Sequence, residues 1–376
     1  MLDLLSKIFA LEDKGHLLPL VWLVVAGVLL PLMPKQRELI CGRTEDRWFP
    51  FAAVLLVLPL IFWAGFRGNI GDTYVYRLQF RSAPASITTL LGSLNADSKD
   101  PGFSVLMTLF KALGVSDYRI FFLLIATFQM LCIALVFRKY SPSYWIGIFL
   151  FVASTDYISW MFNGMRQFIA VTMIFGATGL LIRRKYAAFA AVILLASQIH
   201  GSAILMLPLA YVMTGPALNR KTLLMIAGVA AVMPFVDTLL PMANDMLADT
   251  QYSTTMTDEI WTVDDGTNPI RVLVYSVPAL VALFGRRYII RENNPVLNLC
   301  VNASMITMAL YLVSMVTSGI YVGRLPVYTT FYGYISLPWI IDIVFEKSSA
   351  RFVKVMMIIC YLGFFYIQMH MTWGYF

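Results

Sequence analysis

Two residues in this chain could do chemistry at membrane depth. Arg166 heads an apolar helix in Asn163-Gly-Met-Arg166-Gln167, and His200 ends the next one in Ala196-Ser-Gln-Ile-His200-Gly-Ser202-Ala203. Polar groups inside a bilayer are costly and persist where they are paired or functional. Arginine presents a planar fork of donors, stays charged and grips phosphate oxygens bidentately. Arg166 also follows Asn163 and Gly164 near a helix N-terminus, where free N–H groups and the helix dipole favour an anion. Arg77, Arg81, Arg271 and Arg324 begin or end other segments on the same expected side, so a lipid diphosphate fits the set. The competing reading is that they snorkel to ordinary lipid phosphates or pair with Asp72, Asp156 and Asp264. It weighs more on Arg77 and Arg81 than on Arg166 and Arg324, which start helices beside apolar runs.

His200 is one of three histidines, and His16 and His370 lie at membrane ends. Its near-neutral titration suits a general base taking a proton from a sugar hydroxyl. A phosphate donor and a hydrogen-bonded turn residue are equally open readings. Asp72, the first acid after the second apolar stretch, is a base, an orienter of His200 or an arginine partner. Asn163, Gln167, Gln198, Ser202 and Tyr76 are candidate supporting polar groups. The run Ser98–Phe103 (SKDPGF) reads as a turn that caps the amphipathic helix after it. The acidic loop after Leu240 carries Asp245, Asp249, Asp258, Glu259, Asp264 and Asp265 with Tyr252 and Trp261, a mixture common in sugar-contacting loops; for each single residue a solvated loop is the simpler reading.

These residues need a membrane scaffold. Of the 376 residues 59% are hydrophobic and 13% charged, and the mean hydropathy is +0.74. That composition excludes a soluble domain, and the chain reads as one all-α polytopic membrane domain over 1–376. The four cysteines show no CxxC spacing, so neither a disulfide framework nor a metal site is expected. No P-loop, DxD pair, Ser-His-Asp spacing or nucleic-acid patch occurs either, which points to metal-free and cofactor-free chemistry.

Residues 1–14 read as an interfacial amphipathic helix. Leu17–Met33 and Phe49–Phe66 are spans, and the basic loop Lys35–Arg47 between them stays cytoplasmic. Segment 67–118 is then the first extracytoplasmic loop, with an amphipathic helix over Phe103–Gly114. Spans follow over Arg119–Phe137, Tyr144–Tyr157 and Gly164–Ile182. The run from Tyr186 to Met213 is too long for one ordinary span. If it turns at His200-Gly201, every later loop obeys the positive-inside bias, and the acidic loop 241–270 lies outside. That reading predicts about 12 passes, both termini outside, and the polar residues at the extracytoplasmic face.

The Asp72-Thr-Tyr-Val-Tyr76 run, the Asn163–Gln167 helix start with Ala170 following, the Arg183-Arg184-Lys185 loop and the Ala196–Ala203 segment together resemble the EpsG family, Wzy-type polymerases of bacterial exopolysaccharides and O-antigens. The likeness covers roughly residues 60–215, with Arg324 and the tyrosines after it a weaker match. It implies a GT-C-like glycosyltransferase of the inner membrane that joins undecaprenyl-diphosphate-linked oligosaccharide repeat units at the outer leaflet. The reaction it implies inverts the anomeric centre without metal or cofactor. In that scheme His200 or Asp72 is the base, Arg166 and Arg324 with help from Arg77 hold the diphosphate, and a chain-length regulator is a further partner. An O-antigen ligase shares the donor but usually carries a larger outer loop. A flippase of lipid-linked sugars tends to show a repeated half and mid-membrane charges, and neither is visible in this sequence.

Overall fold

Apolar segments in lipid must satisfy their backbone hydrogen bonds internally, so they fold as helices. The computed structural model describes residues 9, 15–93, 100–235 and 266–374, and those residues are overwhelmingly helical. Apart from Phe9, the expected helix over 1–14 lies outside the described residues. So do the acidic-loop residues Asp245, Asp249, Asp258, Glu259, Asp264 and Asp265, with Tyr252 and Trp261.

In chain order the first helix is α1 (Leu18–Leu29), followed by strands β1 (Lys35–Ile40) and β2 (Arg43–Trp48). Then come α2 (Pro50–Gly65), α3 (Thr73–Ser82), α4 (Ile87–Ser93), α5 (Pro101–Ala112), α6 (Tyr118–Tyr140), α7 (Tyr144–Ala153) and α8 (Asp156–Met161). Helices α9 (Met165–Gly176), α10 (Thr178–Ile182) and α11 (Tyr186–Ile199) follow, then a 3-10 turn over Gly201–Leu205. The rest is α12 (Met206–Met213), α13 (Arg220–Val232), α14 (Pro269–Phe284), α15 (Arg286–Glu292), α16 (Pro295–Met315), α17 (Val327–Val344) and α18 (Lys347–Met371).

Five segments among the described residues are long and apolar enough to cross a membrane: Gly15–Leu32, Tyr118–Tyr140, Met165–Ile182, Pro295–Met315 and Lys347–Met371. A sixth is the pair α14 and α15, bent by 71°. This is a helical polytopic membrane protein. Among the described residues these give five or six of the expected dozen crossings as full-length spans. Pro50–Gly65, Tyr144–Ala153, Tyr186–Ile199 and Gly201–Met213 are apolar helices of 10–17 residues. At 1.5 Å per residue they reach only about 15–26 Å, against a hydrocarbon core of about 30 Å.

The chain divides into two compact units, Met1–Ile204 with Arg351–Phe376, and Leu205–Ala350. In the second, α16 is buried along most of its length and its polar side chains find partners within the unit. Asn302 donates to the carbonyls of Met213 and Pro216, both at 3.0 Å, and accepts from Leu218 N–H at 2.9 Å. Thr307 meets Thr329 at 2.8 Å.

The basic loop Lys35–Arg47 is a β-hairpin, an exception to the all-α expectation. Its two-residue turn places Cys41 and Gly42 at φ of 50° and 81°, the left-handed pair that a primed turn requires. The hairpin is fastened to the end of α6. Arg138 donates to Trp48 O and Glu38, and Arg47 Nε donates to Lys139 O at 3.0 Å.

Candidate active site

Aromatic packing brings the site's elements together. Phe80 of α3 stacks on Phe121 of α6 with ring centroids 4.5 Å apart, and Tyr76 meets Phe103 of α5 edge-on at 5.9 Å. Met165 and Ile169 of α9 complete the same buried cluster. Arg67, buried after α2, donates to Met161 O and to Met165 Sδ, and its guanidinium lies 4.4 Å from the Phe122 ring. It thereby pins the turn between α8 and α9, where Phe162–Gly164 reverses the chain.

Gly164 stands at the head of α9 with φ +80°, a conformation that costs a side-chain-bearing residue about 1–2 kcal/mol. Its N–H donates to Asp72 Oδ2 at 3.2 Å. With its amide nitrogen turned toward the carboxylate, Asn163 donates to both Asp72 oxygens at 2.9 and 3.0 Å. The amide orientation follows from this network. Asp72 therefore braces the turn that launches Arg166.

The residue at the centre of the cluster is Asp100. It directly precedes Pro101, has φ 53°, and its side chain makes no capping bond to α5. The expectation that SKDPGF only turns and caps is corrected accordingly. Asp100 Oδ2 sits 3.0 Å from Arg166 Nη1 and 3.3 Å from His200 Nδ1, while Oδ1 accepts the Gly201 N–H at 3.2 Å. An ionised carboxylate only accepts, so Nδ1 of His200 carries the shared hydrogen and neutral His200 keeps its lone pair on Nε2. His200 occupies that spot because α11 ends at Ile199. There the backbone turns extended (φ −154°, ψ 115°) before the 3-10 turn. Gly102 allows the close approach: a Cβ there would lie 2.6 Å from Gln198 O and 2.7 Å from Gln198 C.

Burial opposes ionisation of Asp100. The hydrogen bond from His200, the neighbouring His200 and Arg166 side chains and the Gly201 N–H outweigh it and hold the carboxyl below its ordinary value. Tyr76 is hydrogen-bonded to Arg166, yet burial pushes its hydroxyl above the usual phenol value. The side chain of Asp100 is 6% exposed, against 28% for Arg166 and 26% for His200. The acid is sealed in and its two side-chain partners reach the surface.

The structure thus joins Arg166, His200, Tyr76, Asn163 and Asp72 in one region, in two linked networks. Gln167 is buried, Gln198 contributes its backbone under Gly102, and Ser202 lies on the 3-10 turn, half-buried. Asp72 binds Asn163 and Gly164, and Asp100 takes the place beside His200 that was open to Asp72. Arg77, which follows Tyr76 on α3, has its guanidinium over the Tyr74 and Tyr118 rings at 5.3 and 5.7 Å, and Arg81 shares the Tyr118 ring. Arg324 ends the 3-10 turn Val322–Arg324 in the other unit. Asp156 is buried and accepts from Trp160 Nε1 at 3.1 Å.

A helical membrane protein with a buried carboxylate holding an arginine and a histidine at three helix ends is the class that fold and site define. The comparison with protein families makes it specific. The EpsG family model matches residues 51–374, and the chain belongs to that family. Wzy-type polymerases are the known kind in this family, which is one of glycosyltransferase-like polysaccharide polymerases acting on lipid-linked saccharides. Neither the curated proteins nor the solved structures contain a match.

Proposed function

We propose that this chain polymerises undecaprenyl-diphosphate-linked oligosaccharide repeat units at the extracytoplasmic face of the bacterial inner membrane, as an inverting, metal-independent glycosyltransferase of GT-C type. The observation that carries the reading is the Arg166–Asp100–His200 cluster in a chain of the EpsG family. In this scheme the shorter apolar helices supply further crossings toward the expected 12, and the cluster faces outward.

His200 is the base. Its Nε2 takes the proton of the acceptor's non-reducing-end hydroxyl as that oxygen attacks the anomeric carbon of the growing chain. The bond from the anomeric carbon to the diphosphate oxygen breaks on the opposite face, its electron pair leaves with the diphosphate, and the anomeric centre inverts. Arg166 stabilises the negative charge developing on that leaving group, which asks for fixed positive donors and no proton. The proton on His200 passes to water or to the departing diphosphate. Asp100 acts through the other two as a positioning residue, holding the His200 tautomer and aiming the Arg166 fork. Asp72 is assigned to bracing the Asn163–Gly164 turn, and Tyr76 to support of Arg166.

Incubating the purified protein in nanodiscs with lipid-linked repeat units tests the scheme. A ladder of products is expected, lost in His200→Ala and Arg166→Ala with the fold intact. A ligase would transfer a single block to a lipid A core, and a transporter would make no ladder at all. Normal polymer length from either alanine variant would reject the mechanism.

A further inference from the structure

An apolar groove of about 350 Å³ runs between α5, α6, α9 and α11. Three of its walls are helical stripes: Leu106 and Phe110 on α5, Ile169 and Met173 on α9, Leu195 and Ile199 on α11. Ile169 is nearly sealed at 4% exposure, whereas Leu195 on the rim is 61% exposed. Each stripe leads to the polar cluster. Arg166 lies one turn before Ile169 on the same face of α9, His200 directly follows Ile199, and Asp100 immediately precedes α5. The positive ends of α5 and α9 point to that same end of the groove, which favours a negative group there.

We infer that this groove seats the head-proximal isoprenoid chain of the lipid diphosphate whose phosphates lie at Arg166. The inference rests on the polymerase reading for its choice of lipid. Charge complementarity selects the occupant: a wholly apolar slot that ends on an arginine at two helix N-termini fits one chain bearing an anionic head. The volume falls at the low end of the 300–1,000 Å³ common for ligand sites, so it takes the first isoprene units and leaves the remainder of the chain in the bilayer. A single unsaturated chain with methyl branches fills a slot walled by Leu, Ile, Phe and Met side chains, whereas a two-chain phospholipid would leave one chain outside it.

The test uses the full-length protein in nanodiscs and a polyprenyl diphosphate carrying a photoreactive group near its head. Labelling is expected on α5, α9 and α11, reduced at least fivefold by unlabelled polyprenyl diphosphate and less than twofold by the same mole fraction of phosphatidylglycerol. Leu195→Trp, which fills the groove from its rim, is expected to cut labelling at least fivefold, and Val24→Trp on the exposed face of α1 to leave it unchanged. Label spread evenly over lipid-facing helices, or equal competition by phosphatidylglycerol, overturns the inference. The competition arms need no variant, so a misfolded Leu195→Trp does not remove the test. Groove labelling without a polymer ladder from repeat units would retain the groove and reject the polymerase reading.

Discussion

Asp100→Asn is the sharpest perturbation of this site, because it removes one charge and almost no volume. The carboxylate loses its ion pair with Arg166 at 3.0 Å, its hold on His200 at 3.3 Å and the full strength of its bond from Gly201. A charge-assisted hydrogen bond contributes about 1.5–3 kcal/mol. Arg166 and His200 are each about a quarter exposed, so water takes up part of the loss and the expected destabilisation is about 2 kcal/mol. The catalytic effect is larger. If the asparagine NH2 faces Nδ1, the imidazole must carry its hydrogen on Nε2 and can no longer accept a proton there. A general base is worth about 10²–10⁴-fold, and we expect a rate about 10²–10³-fold lower in the nanodisc ladder assay. Stability versus pH gives a second readout. The native carboxyl of Asp100 is held below its ordinary value, so its ionisation stabilises the fold fully above about pH 4 and progressively less as pH falls through the native value. Wild type and Asp100→Asn should therefore differ in thermal midpoint at neutral pH and converge in acid. An Asp100→Asn enzyme within twofold of wild type would refute the role given to this residue.

Other substitutions separate chemistry from scaffolding. Arg166→Lys keeps the charge but loses the planar fork, and a rate loss of about 10–100-fold is expected; full activity would show that charge alone suffices. Asp72→Asn turns an NH2 toward the Asn163 amide or the Gly164 N–H, which should cost about 1–2 kcal/mol in a melting experiment with activity falling only in step. A loss beyond 10²-fold at unchanged stability would return the base role to Asp72. Gly102→Ala drives a Cβ against the Gln198 backbone, which cannot swing away, so α5 must lift from the end of α11 and carry Asp100 off His200. At least a tenfold loss of activity is expected, while Gly92→Ala, which meets open space, should leave activity unchanged.

Much of this was legible in the chain because the signals are local. Arg166 and His200 stand out as polar residues at the ends of apolar helices, and Asn163–Gln167 shows its helix start in five letters. The amphipathic pattern after Pro101 becomes α5 as expected. Asp100 was not legible as a site residue. Its partners lie far along the chain, His200 being 100 positions away, and an acid before Pro-Gly is the ordinary spelling of a turn. The signal that could have found it is an acid at the start of an amphipathic helix, with Arg166 and His200 expected at the same depth. The hairpin was hidden by its charges: Lys35–Trp48 shows no run of alternating apolar residues to mark its strands, and Arg138 and Arg47 tie it to α6. Hydropathy counts apolar residues and does not see where a helix stops, so the four apolar helices of 10–17 residues were not legible as shorter than full spans.

An arginine already paired with an aspartate looks like a poor anion site, and the pairing is what makes the proposed one workable. A guanidinium has five donors, and Asp100 is close to Nη1. Asp100 and Tyr76 do not use up those donors, and 28% of the side chain is exposed. A free arginine would give up rotamer freedom on meeting a phosphate, at a cost of about 0.5–1.5 kcal/mol for one immobilised side chain. Asp100 imposes that order beforehand. The same carboxylate meets His200 at Nδ1, so in the proposed mechanism one buried acid would set both the group that holds the leaving diphosphate and the group that takes the incoming proton. The Asp100–Arg166 ion pair carries no net charge, and the positive ends of α5 and α9 add attraction for an anion without another ionisable group. Such a site binds diphosphate moderately and gains on the transition state, where charge grows on the leaving oxygen. A polymerase that must release its lipid diphosphate after every bond needs that balance.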